Sequence, residues 1–424
     1  MRTIEIARLV VIFGACGACA LPATPAVDLT VPVEVRSLDV PSDGFWNALT
    51  VASDGRVYIG MCKHGGTAHV MRYDPVLDQI TNLGAMAEAT HEMWLGKEPQ
   101  AKIHVPFLEA RDGRLFFATH FGNFWYSSRV FEPDGYPGSH WLVLDPRTGH
   151  ITDLGIAAEH EGMMALALDR GRDLLYGMTL PRGHLVQYDI RKGRTRDLGR
   201  IANWDSIVRV LVVDDAGRVY GSVAPNHVFR YDPRKDLVEL LPAVLPHDKN
   251  IPAARWGSST GTAIWRTAFY HAGRHKIYGI QAGSVELFEL DPVSGEARPV
   301  APMCPDEFIG RSDVPYASLA LTRGPDDILY YAAQSSARRF DYGGTEGAGA
   351  KGPRAHLITY DFSSGKRQDH GAMAGPKGEQ VLGAEGAAAD AAGNVYFVGG
   401  VQKPGSPLAV SLIIYRTKQG RKNP

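Results

Sequence analysis

Apolar and aromatic residues in this chain fall in short alternating runs rather than at helical spacing, and one unit recurs seven times. Each unit opens with a tight turn and a strand that ends on an aromatic residue: Asp54-Gly55-Arg56-Val57-Tyr58, Asp112-Gly113-Arg114-Leu115-Phe116, Gly171 to Tyr176, Ala216 to Tyr220, Gly273 to Tyr278, Pro325 to Tyr330 and Ala392 to Tyr396. A second apolar strand follows, and in six copies it ends on Tyr or Leu and then Asp: Tyr73-Asp74, Leu144-Asp145, Tyr188-Asp189, Tyr231-Asp232, Leu290-Asp291 and Tyr360-Asp361. Alternation bounded by Gly and Asp turns is the strand pattern. Units of about 45 to 65 residues with hairpin turns and no helical period are the mark of propeller blades. The expected fold is all-β, a seven-bladed β-propeller.

Within the first unit the strands are expected at Ala48–Ala52, Arg56–Met61, His69–Tyr73 and Gln79–Leu83. Because strands alternate in direction, the short first and third turns share one face. The longer, variable connections share the other, which is expected to carry function. The last unit lacks a fourth strand; the alternating segment Val33–Leu38 is expected to supply it and so close the ring.

The repeats run from Trp46 to Tyr415 without a break in composition, so residues 27–424 of the 424 read as one domain. The first 26 residues, with Arg2 and Arg8 ahead of an apolar run at 9–14 and a small-residue stretch, read as a secretory signal too short to span a bilayer. The expected location is secreted or periplasmic, with Cys19 admitting a lipid anchor. A net charge of -1 removes any global field for nucleic acid. Past the signal only Cys62 and Cys304 remain, too few for a disulfide framework. The chain is expected to be a monomer.

The start of each first strand lies beside the channel of a propeller, which places Trp46, Asn47, His104, Glu161, Arg209, Arg266, Tyr316 and Glu385 at its mouth. Second-strand ends and third-strand starts add Cys62, His64, His69, His120, His140 and His184. Histidine titrates near pH 6.5 and serves as acid or base; at a strand end it can also merely tie down a loop carbonyl. Arg209 and Arg266 suit an anion held by two hydrogen bonds, or a salt bridge between blades with Glu161 or Glu385. Cys62-x-His64 puts a thiol and an imidazole on one side of a strand, which begins a zinc site or is a buried free thiol. The Gly-rich stretch 343–352 reads as a rim loop, since no strand-to-helix turn surrounds it.

The run Lys102-Ile103-His104, Ala118-Thr119-His120, Gly135-Tyr136-Pro137-Gly138-Ser139-His140 and Glu161-Gly162-Met163-Met164 resembles the seven-bladed propeller polysaccharide lyases that act on ulvan, families 24 and 25. The resemblance implies β-elimination on a uronate-containing acidic polysaccharide, with His120 and His140 as the paired histidines, Arg209 as carboxylate neutraliser, and no cofactor in the chemistry. It also implies a structural metal, zinc or calcium, with Cys62 and His64 as candidates. A tyrosine completes the family's site. Leu180 stands where an aromatic is expected, so Tyr136 is carried as the catalytic tyrosine. His104, Arg266, Tyr316, His184, Trp46 and Asn47 are carried as substrate-binding residues. The alternative is a non-catalytic propeller that binds glycan or protein. A metal-dependent hydrolase would need more carboxylates around one ion than Glu161 and Glu385 with Asn47 supply.

Overall fold

The computed structural model describes residues 29–92, 100–122, 136–202, 208–223, 226–246, 264–313, 315, 317–335 and 354–417. The signal segment, Tyr316 and the Gly-rich stretch 343–352 lie outside the described residues. The fold is all-β in a propeller arrangement. Among the described residues, helix is confined to Met86–Ala89 and the single turns Ala272–Arg274 and Asp306–Phe308.

Five sheets stand separately. The first is Leu49–Val51, Val57–Gly60, His69–Asp74 and Gln79–Ala85, each strand antiparallel to the next. The second is interrupted: Lys102–Ile103 and Leu108–Glu109 both pair with Leu115–His120, and the chain leaves the ladder between them at His104-Val105-Pro106. Proline has no N–H to offer a ladder, so the inner strand breaks there and His104 stands in the break. Sheets three, four and five begin at Gly162–Asp169, Val212–Val213 and Trp265–His271.

The repeats predict seven separate units, and here the structure differs. The remaining strands form one nine-stranded sheet. Its halves meet where Lys366–Ala374 turns into Gln380–Ala389 through the single pair Ala374–Gln380, so a hairpin replaces the loop expected between units. The expected N-terminal partner is present. Glu34–Ser37 pairs antiparallel with Leu408–Arg416, and Thr30–Pro32 runs parallel beside Lys366–Ala374. Tyr396, Leu412 and Ile414 share one core with Tyr58 and Leu49 of the first sheet and with Phe45 just before it.

In four of the repeats the tyrosine that ends the strand has a visible cause. The hydroxyls of Tyr58, Tyr220, Tyr330 and Tyr396 donate to the turn carboxylates Asp54, Asp214, Asp326 and Asp390 at 2.7–2.9 Å. The aspartate after the second strand caps its own turn: Asp74 Oδ1 accepts from Val76 and Leu77 N–H, and Asp291 does the same for Val293 and Ser294.

Candidate functional site

Three inner strands carry bulges that leave Met164, Arg266 and, in the strand that also frees Leu382, Glu385 out of the ladder. A bulge re-aims the side chain it frees. These residues take partners from other sheets. Arg209 Nη1 donates to Met164 Sδ at 2.8 Å. Arg266 Nη2 donates to Glu385 Oε2 at 3.0 Å, and its Nε to the Ala317 carbonyl at 2.9 Å. Glu385 also accepts from Leu319 N–H. Trp46 packs with Cys62, Leu319 and Val210, residues drawn from widely separated repeats.

Around Trp46 the predicted residues assemble. Its ring stacks on His104 at 5.4 Å, meets His64 edge-on at 6.0 Å and lies 4.5 Å from Lys102 Nζ. His104 and His120 are 5.2 Å apart, ring centre to ring centre. Both are buried, and the Nδ1 of each has no hydrogen-bond partner, as has Oε2 of buried Glu161. Burial first, then the charges of Lys102 and Arg209, hold His120 well below the usual imidazole range. Burial first, then His120, Arg209, Lys102 and Arg266, does the same to His104. Two neutral imidazoles with unsatisfied nitrogens therefore sit among cations, a combination that structural histidines rarely show.

The backbone that presents His120 is equally specific. Gly162 lies flat against its ring. Across the strand from Gly162 stands Leu180, so the position where an aromatic is expected lies on the His120 side of the third sheet but offers no hydroxyl. Glu161, just before Gly162, pairs with Arg182 at 3.4 Å.

His140 and Tyr136 belong to a second network. His140 Nδ1 lies 2.9 Å from Asp153 and Nε2 lies 3.1 Å from Glu92. Gln100 donates to Glu92 and to the Gly138 carbonyl, and accepts from the Tyr136 hydroxyl at 2.8 Å. Burial pulls the His140 pKa down, but hydrogen bonds to Asp153 and then Glu92 push it to about 9. His140 is thus an imidazolium with both nitrogens engaged. Burial raises the Tyr136 phenol well above its ordinary value. Phe121, stacked on His120 and edge-on to Tyr136, joins the two networks.

His140 also has counterparts, a signal the sequence offered and the repeat reading missed. His69, His140, His184 and His356 each meet a residue 13 positions on: Asn82, Asp153, Asp197 and Asp369. Each partner accepts the N–H of a glycine two residues further, Gly84, Gly155, Gly199 and Gly371, at φ between 94° and 134°. Left-handed backbone requires glycine there, and each pair sits at a bulge between the third and fourth strands. This lock accounts for His184, whose half-buried ring bonds Asp197 on the outer strands. In the second sheet the lock is extended by Glu92, Gln100 and Tyr136.

Two other expectations change. Trp46 is buried, with His104 stacked on its ring and the Lys102 ammonium 4.5 Å from the ring centre. The Arg266 guanidinium is committed to Glu385 and Ala317. Asn47 is half-buried, and its carbonyl accepts from Leu49 N–H.

Cys62 and His64 gain a third donor that the sequence reading did not name. Asp43, Cys62 and His64 place one oxygen, one sulfur and one nitrogen within 4.8 Å of one another. Asp43 Oδ1 lies 2.9 Å from His64 Nδ1. Burial works to raise the Asp43 carboxyl, but His64 and Lys63 hold it below its usual range. Among the described residues one other group of this kind occurs, Glu307, His356 and Asp369, and its His–Asp pair is one of the four locks.

No protein-family model and no curated protein matches the chain. Solved structures do. An extracellular domain from B. thetaiotaomicron, assigned to a one-component system, superimposes with a TM-score of 0.56 at 12% identity over 91% of this chain and 40% of that one. A structure of the same domain assigned to a hybrid two-component system gives 0.55. A chain of the Mitotic Checkpoint Complex gives 0.54 at 12% identity, covering 96% of this chain and 98% of that one. The chain thus spans about 40% of the length of the first two, and identities this low establish the propeller fold alone.

Proposed function

We propose that this chain is an exported polysaccharide lyase that cleaves a uronate-containing glycan by β-elimination. The observation that carries the reading is the buried His104–His120 pair, 5.2 Å apart with the Nδ1 of each unpartnered, among the charges of Lys102, Arg209 and Arg266. A base must be uncharged before it takes a proton, and the enolate-like charge that follows must be met by cations already in place. His120 takes the C5 proton, and Arg209 adds to the positive field that meets the developing charge. Substrate carboxylate entering among the cations offsets their effect on His120 and raises its basicity. Tyr136 stays protonated, but its hydroxyl donates to Gln100, with Phe121 between it and His120. His120, once charged, is therefore the nearer donor to the leaving oxygen.

The nine-stranded sheet counts in this reading as two blades, which with the five separate sheets makes seven. The N-terminal strands and the shared core between last and first sheets close the ring. Asp43, Cys62 and His64 would hold a structural zinc, which accepts sulfur, nitrogen and oxygen donors; thiol and imidazole suit calcium poorly. No chemical step passes through it. Export rests on residues 1–26; among the described residues no helix is long and apolar enough to cross a membrane.

The deciding experiment incubates the protein with ulvan and other uronate polymers and follows the ultraviolet absorbance of the unsaturated product. Turnover in wild type and its loss, with binding retained, in His120→Ala supports the reading. No absorbance gain with any polymer overturns it in favour of a glycan-binding propeller.

A further inference from the structure

Elimination from a uronate imposes a distance constraint. The carboxylate is bonded to the carbon that loses its proton, so the cation that holds it and the base must be neighbours. Lys102 meets this constraint through the backbone. It is paired directly with His120 across an antiparallel ladder, which sends both side chains to the same side of the sheet with Cβ atoms about 5 Å apart. A second bridge, to Cys62, fixes Lys102 from its other edge. Its side chain is buried and its ammonium lies 4.5 Å from the Trp46 ring, whose plane is in turn set by His104. Cation–π contact fixes the position of the charge and is compatible with hydrogen bonds from the ammonium to a carboxylate. The other cations are differently placed: Arg266 is ion-paired with Glu385, and Arg209 donates to Met164 from another sheet.

We infer that Lys102 binds the substrate carboxylate beside His120 and sets the preference of this site for acidic over neutral glycans. The inference takes its substrate class from the lyase reading. It also explains the electrostatics, since after burial Lys102 is the largest influence keeping His120 neutral. The same charge that disfavours imidazolium in the empty site attracts the anion that then relieves it.

The test uses calorimetric binding of an ulvan-derived oligosaccharide, its carboxyl-reduced form and its desulfated form, in the His120→Ala background to prevent turnover. With Lys102 present, carboxyl reduction should weaken binding at least about tenfold while desulfation leaves that ratio unchanged, as expected for loss of a charge-assisted pair. Lys102→Met should bind parent and carboxyl-reduced forms alike, and Lys102→Arg should keep most of the discrimination. Lys102→Gln serves as a second neutral variant, with melting curves to verify folding. Retained discrimination in a folded neutral variant, or discrimination that follows sulfate instead of carboxylate, overturns the inference. Absence of turnover in the His120-intact protein, with discrimination intact, removes the lyase reading and leaves this one standing.

Discussion

The contact between Gly162 and His120 gives a test of the site that needs no substrate. A Cβ added at Gly162 would stand 2.6 Å from His120 Cε1 and 2.8 Å from Cγ, and closer still to Nδ1. Carbon atoms rest at about 3.5 Å, so from 2.6 Å the ring must retreat by about 1 Å. Gly162 does not require left-handed backbone, so the whole cost of Gly162→Ala is steric, about 1–3 kcal/mol for overpacking a well-filled site. In His120→Ala the ring is gone and the same substitution should cost close to nothing. Urea unfolding of the wild type, both single variants and the double variant measures this coupling. If Gly162→Ala destabilises equally with and without the His120 ring, the packing argument fails. On the lyase reading a 1 Å displacement of the base should also lower kcat/KM about 100-fold.

Because burial and its cations hold His120 well below 6.5, kcat/KM should stay level on acidification to that pH and fall only beneath it; an acid limb at or above 6.5 would contradict the electrostatics. The folded pKa of His140 is raised from 6.5 to about 9, so its contribution to stability is complete below 6.5 and disappears as pH rises through about 9. That displacement corresponds to roughly 3 kcal/mol, and solvent screening brings it to about 2 kcal/mol. Denaturation at pH 6 and pH 10 should show wild type losing that margin over His140→Gln; a pH-independent difference would refute it. Zinc added to metal-free protein should raise the melting temperature, and Cys62→Ser or Asp43→Asn should abolish the rise.

The blades were legible because each must bury a hairpin and end it tightly. The Gly turns, the Tyr that reaches back to the turn carboxylate and the Asp that caps the next turn leave marks within a few residues of one another. The fusion of the last two units was not legible, since a single backbone pair between Ala374 and Gln380 has no side-chain signature. Strand-end position named His104, His120, Trp46 and His64, whose rings lie against one another. It also named His140 and His184, whose counterparts 13 residues away were present in the sequence but need pairing across a bulge to be recognised. Asp43 and the Lys102–His120 pair depend on register, which a single sequence does not display.

The bulges at Met164, Arg266 and Glu385 separate what the ladder needs from what these side chains reach for in other sheets. A residue outside the ladder can change without breaking a strand pair, whereas its neighbours cannot. The propeller therefore behaves as a rack with interchangeable positions. These three positions are open to exchange while the surrounding sheets keep their register, provided Arg266 and Glu385, which neutralise one another and hold Ala317 and Leu319, are replaced together by a pair that keeps those bonds. A library restricted to these sites should yield folded proteins far more often than one aimed at the adjoining paired residues.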